Sequence, residues 1–245
     1  MNKIEEKVKA ARFPVALTGA GISAPSGIPT FQDGTWKGRP IRDFLSRWVF
    51  DEYPVEFYEL FIEMVGWCQK PVNAAHLKLA EWGVPVITQN IDGLHTRAGS
   101  KNVLELHGSL SRVVCRHCGK TISSEEFVNT IRPTYESGVN EAKLQAITCE
   151  CGSIYDTDIV LYGDRVHAID QAYDLVEQCD LMLVVGTSLE VNPAASLPQI
   201  AWSHGAEIIM MNEDCVRELA ADNAGETMSF NEEDLPTMSS CDIIY

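Results

Sequence analysis

Val15-Ala16-Leu17-Thr18 runs directly into Gly19-Ala20-Gly21-Ile22-Ser23-Ala24 and on to Pro25-Ser26-Gly27-Ile28-Pro29-Thr30-Phe31. The first four residues read as a buried strand, and the small residues after them let backbone approach a ligand closely, as phosphate-binding turns do. Gly19, Gly21 and Ala24 meet the G-x-G-x-x-G/A spacing of dinucleotide-binding turns. The continuation departs from an ordinary dehydrogenase. Pro25, Gly27 and Pro29 prevent a long helix from following, and the acidic residue due about 20 positions further on would be Asp43, inside a stretch that reads as helical. The turn predicts a nucleotide site wired into a different α/β topology.

The chain has 245 residues, of which 45% are hydrophobic and 22% charged, which supports one large domain with a smaller appended module. Its net charge of -16 repels phosphate backbones, arguing against direct nucleic-acid binding, and attracts basic peptides. The stretch Met1 to Lys7 lacks the apolar core of a signal peptide, and no apolar run approaches membrane-spanning length, so a cytoplasmic protein without a membrane partner is expected. Eight cysteines in so long a chain make no disulfide scaffold, and four of them cluster as metal ligands do. No oligomeric state follows from the sequence.

Ile4, Val8 and Ala11 suit one face of an opening helix. The aromatic-rich stretch from Trp36 to Trp67 suits two or three helices. Asn73 predicts a helix cap, Gly83 its stop and Val84 to Thr88 the next strand, with His76 a packed helix residue. Val103 to Leu106 alternates as a short strand. From Val113 to Ile154 apolar periodicity is poor, apart from a helical insert over Ser123 to Leu144. Alternation resumes with expected strands at Ile159 to Tyr162, Leu181 to Val185 and Glu207 to Met211, and helices at Ala168 to Gln178 and Ala194 to His204.

Strands that are apolar throughout imply a parallel sheet covered on both faces, which binds ligands beyond the carboxyl ends of its strands. Those ends are Gly19-Ala20-Gly21, Gln89-Asn90-Ile91-Asp92, His107, Gly186-Thr187-Ser188 and Asn212-Glu213. Each supplies small or hydrogen-bonding groups of the kind a nucleotide needs. His107, the sole histidine among them, is the candidate general base; alone it would read as a structural residue.

Cys115-Arg116-His117-Cys118 precedes Gly119, and Cys149-Glu150-Cys151 precedes Gly152. Two tight pairs turned by glycines match a closed tetrahedral zinc site of four thiolates, which holds a module together rather than activating water. The close C-x-C spacing keeps His117 open as an alternative ligand, and a redox pair is the competing reading.

The ordered set GAGISAPSGIPTF, TQNIDGLH, ELHG, two cysteine pairs, IVLYGD, GTSLEVNPAA and MMNED resembles the sirtuin family of NAD-dependent protein deacylases, over Phe13 to Asp242. The resemblance implies an α/β fold: a Rossmann-like parallel sheet with helices on both faces over 1–34, 73–111 and 156–245, plus a small domain of helical insert and zinc module over 35–72 and 112–155. It implies NAD as co-substrate, one structural zinc on Cys115, Cys118, Cys149 and Cys151, and an acyl-lysine protein or peptide as partner. NAD contacts then fall on Gly19, Ala20, Gly21, Ala24, Phe31, Gln32, Gln89, Asn90, Ile91, Asp92, Gly186, Thr187, Ser188, Asn212, Glu213 and Cys241. His107, Asn90 and Asp92 are the implied catalytic residues. In such enzymes the acyl oxygen attacks the ribose as nicotinamide leaves, and the histidine helps deprotonate a ribose hydroxyl that then attacks the acyl carbon. Val160, Tyr162, Gly163, Asp164, Val191 and Asn192 are the implied peptide contacts, by strand addition through their backbone.

Two departures from the family pattern stand out. Gln32 replaces the usual arginine of D-F-R, a loss of about 1.5 to 3 kcal/mol in charge-assisted contacts where the group is buried. Phe61 replaces the arginine of the Tyr-x-x-Arg pair that holds acidic acyl groups, so the expected substrates carry acetyl or longer neutral acyl groups. ADP-ribosyl transfer, NAD glycohydrolysis and a non-catalytic NAD-binding module are the alternatives.

Overall fold

The computed structural model describes residues 3–31, 33–211 and 228–229. Helix α1 (Lys3–Ala10) buries Ile4 and Val8 and delivers the chain into β1 (Pro14–Thr18). Two single 3-10 turns follow, Ala20–Ile22 and Ala24–Ser26, and Gly27 leaves the second at φ +80°. The prolines thus replace a long helix by a compact double turn. A hairpin of β2 (Thr35–Trp36) and β3 (Arg39–Pro40) leads to α2 (Arg47–Glu52) and α3 (Pro54–Met64). Ser46 caps α2 by accepting from Val49 N–H.

Asn73 caps α4 (Ala74–Trp82) by accepting from the Ala75 and His76 N–H groups, and Gly83 closes it in the left-handed region. Then come β4 (Val86–Thr88), the single turn α5 (Leu94–Arg97) and β5 (Val103–Glu105). The cysteine-bearing excursion contains β6 (Gly108–Val114), β7 (Thr121–Ser123), α6 (Ser124–Ser137), α7 (Asn140–Ala146) and β8 (Asp156–Ile159). The chain resumes with α8 (Ile169–Val176), β9 (Leu181–Val185), α9 (Leu197–Ser203), β10 (Glu207–Met211) and β11 (Met228–Ser229).

The main sheet has the order β11-β10-β9-β1-β4-β5, parallel except for β11. From β1 the chain builds toward β5 on one side, then returns to lay β9 and β10 on the other. The topological switch point therefore falls at the carboxyl end of β1, where open parallel sheets receive ligands. Ala16, Val86, Leu183 and Ile209 face one layer with Ile4, Val8, Ala75 and Leu79. Val15, Leu17, Ile87, Met182 and Val184 face the other, with Ala172, Val176, Leu197 and Ala201. Both faces are covered, which is why the strands read as unbroken apolar runs.

A third core joins the helical insert to the cysteine module: Phe44, Phe57, Tyr58 and Phe61 pack with Val113, Phe127, Ile131, Ile147 and Tyr155. The Tyr58 hydroxyl donates to the Tyr155 carbonyl at 2.5 Å. Ile91, Leu110, Ile159 and Leu161 carry the same core toward the main sheet.

Two strands differ from expectation. The run Ile159 to Tyr162 is no strand of the main sheet: β8 ends at Ile159 and pairs antiparallel with β6. The following backbone is clipped to His107 and to Leu45 instead. Its apolar character comes from Ile159 and Leu161 facing the third core. Strand β6 was not legible because a register shift between Gly108 and Val113 breaks its alternation.

Candidate active site

The turns after β1 and β9 interlock. Gly21 N–H donates to the Gly186 carbonyl at 2.8 Å, and Gly19 N–H to the Val185 carbonyl at 3.0 Å. A Cβ on Gly186, at φ +61°, would lie 2.3 Å from Ile22 N; one on Gly19 would lie 2.6 Å from the Thr187 Cβ. The close approach these glycines permit is first of one loop to the other. Gln89 Nε2 extends the join to β4 by donating to Thr187 Oγ1 at 2.9 Å.

A buried polar network lies beneath this junction. Asn90 Nδ2 donates to the Gly19 carbonyl and to Ser23 Oγ, both at 3.1 Å. Ser23 Oγ donates to Asp92 Oδ2 at 2.7 Å, and Asp92 Oδ1 accepts Leu94 N–H at 2.9 Å. His76 Nδ1 faces Asn73 N–H at 3.5 Å, which assigns its proton to Nε2, 3.4 Å from Ser23 Oγ. The His76 and His95 ring centroids stand 4.9 Å apart, and His95 Nε2 is 2.9 Å from Thr18 Oγ1. Burial holds both imidazoles neutral, with pKa values lowered to about 4 for His76 and about 3 for His95; Asp92 opposes the shift at His76, while His76 adds to that at His95.

Two atoms in this network are unsatisfied among the described residues: His95 Nδ1, and Asn90 Oδ1, which is buried and accepts from no described group. The Ile91 carbonyl is taken by Leu110 N–H at 2.9 Å. An orphan acceptor at the end of β4, beside the switch point, suits a ligand hydroxyl or amide.

His107 follows β5. Its Nδ1 lies 3.1 Å from the Gln89 carbonyl, which can only accept, so the proton sits on Nδ1 and Nε2 keeps its lone pair. Burial lowers its pKa, and the carbonyl partly opposes this. The ring is therefore a neutral base at pH 7. Its own carbonyl accepts Val160 N–H at 2.9 Å, tying the histidine to the Val160 to Asp164 loop.

In that loop Tyr162 N–H donates to the Leu45 carbonyl and Arg47 N–H to the Tyr162 carbonyl, both at 2.9 Å. Gly163 turns at φ +99°. The Asp164 carboxylate faces Arg47 rather than the histidine. Burial raises the Tyr162 phenol, Arg42 opposes this and Glu190 adds to it, so the loop carrying Val191 and Asn192 lies within electrostatic reach. Ala20 and Ala24 are half-buried on the double turn, Ser188 is exposed, and Phe31 packs at the edge of the third core. Gln32, Asn212, Glu213 and Cys241 lie outside the described residues.

Sequence reasoning passed over Ser23, Thr18, Thr88 and His95 as polar members of the site. Their signal was faint: Ser23 and Thr18 sit inside the opening stretch, but nothing local tells a buried hydroxyl from an exposed one.

The four sulfurs of Cys115, Cys118, Cys149 and Cys151 lie within 4.8 Å of one another, with Cys115 to Cys151 at 3.4 Å and Cys118 to Cys149 at 3.7 Å. Zinc–sulfur bonds of about 2.3 Å give a tetrahedron with edges of ~3.8 Å, so the set fits zinc. His117 is not among the grouped ligands. The Cys151 backbone N–H first, then side-chain hydrogen bonds from Tyr155, Cys118 and Cys151, lower the Cys149 thiol to about 6 against the opposing effect of burial, favouring the thiolate a metal requires.

A glycine-turned switch point in a parallel sheet, with a four-thiol module inserted, defines the nucleotide-binding α/β class. Residues 19–193 match the model of the Sir2 family. The chain belongs to that family, the sirtuins. It is 38% identical over 206 residues to the NAD-dependent protein deacetylase of Listeria monocytogenes serotype 4b, spanning 80% of this chain and 83% of that one. It is 38% identical over 224 residues to NAD-dependent protein deacylase 1 of Caldanaerobacter subterraneus subsp. tengcongensis, spanning 86% of each. Among solved structures, a Sir2-p53 peptide-NAD+ complex superposes with a TM-score of 0.75 at 34% identity, covering 91% of this chain and 96% of that one.

Proposed function

We propose that this chain is an NAD-dependent protein-lysine deacetylase that transfers acetyl or longer neutral acyl groups from lysine to ADP-ribose, releasing nicotinamide. The observation that carries the reading is His107: a neutral imidazole with Nδ1 engaged by the Gln89 carbonyl, Nε2 unengaged among the described residues, and its own carbonyl bound to the Val160 loop.

Asn90 Oδ1, buried and unpartnered, supports a nicotinamide–ribose subsite, with Asp92 and the Ile91 backbone completing it. Gly19, Ala20, Gly21, Ala24, Gly186, Thr187 and Ser188 take the remaining nucleotide, with Phe31 at the rim. NAD supplies an electrophilic ribose carbon and a leaving nicotinamide. Within that frame His107 Nε2 accepts the proton of a ribose hydroxyl, and Gln89 holds the ring in the tautomer that leaves Nε2 unprotonated. Asn90 orients the polar group beside it, and Ser23 holds both Asn90 and Asp92 in place. Gly163 and the Glu190 to Asn192 segment receive an extended peptide. The neutral-acyl preference rests on Tyr58 and Phe61, which are 0% and 1% exposed; the Tyr58 hydroxyl already binds the Tyr155 carbonyl, and neither offers a cation.

The separate cores support a division into a large unit (1–34, 73–111, 156–245) and a small one (35–72, 112–155), with β6 straddling the join and pairing with β8 of the large unit. Free thiols favour the cytoplasm. Among the described residues no helix is long and apolar enough to cross a membrane. The acidic balance favours peptide over nucleic acid.

Incubation with NAD and acetyl-lysine or succinyl-lysine peptide, with products identified by mass spectrometry, tests the assignment. Acyl-ADP-ribose should form faster from the acetyl peptide and fall about 10²- to 10⁴-fold in His107→Ala. Nicotinamide release without deacylation would move the reading to glycohydrolysis or ADP-ribosyl transfer, and a faster succinyl reaction would overturn the neutral-acyl preference.

A further inference from the structure

Four charged side chains from three separate stretches form one unbroken chain of ion pairs. Arg116, inside the first cysteine pair, donates Nε to Asp156 Oδ2 at 2.6 Å. Asp156, on β8 and only 6% exposed, takes Arg47 Nη1 on that same oxygen at 3.1 Å. Arg47, at the start of α2, turns its other edge to Asp164: Nε to Oδ1 and Nη2 to Oδ2, each at 2.9 Å. This last contact is a fork-to-fork pair, a geometry that lysine cannot reproduce.

The chain ends on backbone. Asp164 Oδ2 accepts Leu161 N–H at 3.1 Å, while Asp164 N–H donates to the Leu161 carbonyl at 2.9 Å. Tyr162 is held on both backbone groups, by the Leu45 carbonyl and by Arg47's own N–H. Leu161 and Tyr162 thus have their main-chain groups engaged. Gly163, at φ +99°, donates to and accepts from no described backbone group. Arg47 grips the loop twice, by its amide at Tyr162 and by its guanidinium at Asp164, and Phe50 packs its ring 4.7 Å from the guanidinium carbon. A group so surrounded is fixed from the cysteine module, the helical insert and the loop together.

We propose that Arg47 is a positioning residue for the acyl-lysine peptide: by holding Asp164, and through it Leu161 N–H, it presents the open backbone of Gly163 for strand addition, with Asp156 and Arg116 bracing it from the cysteine module. The proposal rests on the reading of Val160 to Asp164 as the peptide-receiving loop. Its signature is selective. The site for NAD lies at the ends of β1, β4 and β9, so a disturbed Arg47 alters peptide capture and leaves cofactor capture alone.

The test uses the full chain and a fluorescein-labelled acetyl-lysine peptide, with anisotropy giving peptide Kd and steady-state kinetics giving kcat and each KM. Arg47→Lys keeps the charge and removes the fork; Asp164→Asn is nearly isosteric and guards against misfolding. Each should raise peptide Kd and peptide KM by about tenfold or more, with the KM for NAD within about twofold of the parent. The double variant should bind no more weakly than the worse single one, because both remove the same contact. Unchanged peptide Kd in both single variants, with the parent binding tightly, overturns the role of Arg47 and leaves the deacylase reading intact. Absence of peptide binding by the parent overturns both.

Discussion

Acid should destabilise this protein through the His76–His95 pair. Both rings are buried, at 0% and 2% exposure, and their pKa values fall to about 4 and about 3, against 6.5 in the unfolded chain. A depressed folded pKa means that the unfolded state binds the extra proton. The stabilising contribution is therefore fully present above pH 6.5 and is lost as pH falls toward the folded values. Between pH 7.5 and 5.0 each ring forfeits on the order of 2 kcal/mol, from 1.36 kcal/mol per unit over the 1.5 units below 6.5, and the pair on the order of 4 kcal/mol. His107 shifts in the same direction, so the contribution of His95 is isolated by difference. Urea unfolding followed by far-ultraviolet circular dichroism at both pH values, on the parent and on His95→Asn, measures it. The parent should lose about 2 kcal/mol more than the variant between the two pH values. Equal losses would refute the reasoning, because they would mean that His95 binds the same number of protons folded and unfolded.

Two further outcomes follow from the interlocked turns and the thiol quartet. Gly186→Ala places a Cβ 2.3 Å from Ile22 N at φ +61°, so it should cost on the order of 2 to 4 kcal/mol and weaken NAD binding by calorimetry. Gly205→Ala, at φ +93° but with nothing within 4 Å, should cost less and leave NAD affinity unchanged. Purified protein should carry about one zinc per chain by atomic emission, and Cys149→Ser or exhaustive chelation should release it and disorder the core around Phe127 and Tyr155, seen as loss of near-ultraviolet dichroism. Metal loss with unchanged near-ultraviolet signal would show that the module holds without it.

Much of this was legible because local chemistry and tertiary role coincided. An apolar run ending in glycines marks both a strand and a close backbone approach, and two cysteine pairs with glycines mark a metal whatever surrounds them. Asn73 and Gly83 bounded α4 because caps are read from neighbours in sequence. Other features depended on partners distant along the chain. Ile159 to Tyr162 mimicked a parallel strand because apolar side chains look alike whether they face a sheet layer or the third core. His76 read as a packed helix residue, which it is, but its pairing with His95 and Ser23 requires α4, α5 and the first turn to be folded together. Arg47 and Asp156 are unremarkable in sequence, and Asp164 stood out there only as an implied peptide contact; the ion pairs that join the three need the folded chain.

The position of β1 in the middle of the sheet carries a consequence for biosynthesis. Pro14 aligns with Leu181, a separation of 167 residues, while its other neighbour, β4, is made much earlier. At about 5 to 20 residues per second, a ribosome leaves one edge of β1 open for roughly 8 to 33 seconds before its partner emerges. The helical insert waits similarly for the segment ending at Tyr155. Nascent chains stalled short of Leu181 should therefore engage holdase chaperones, and release should coincide with the arrival of β9.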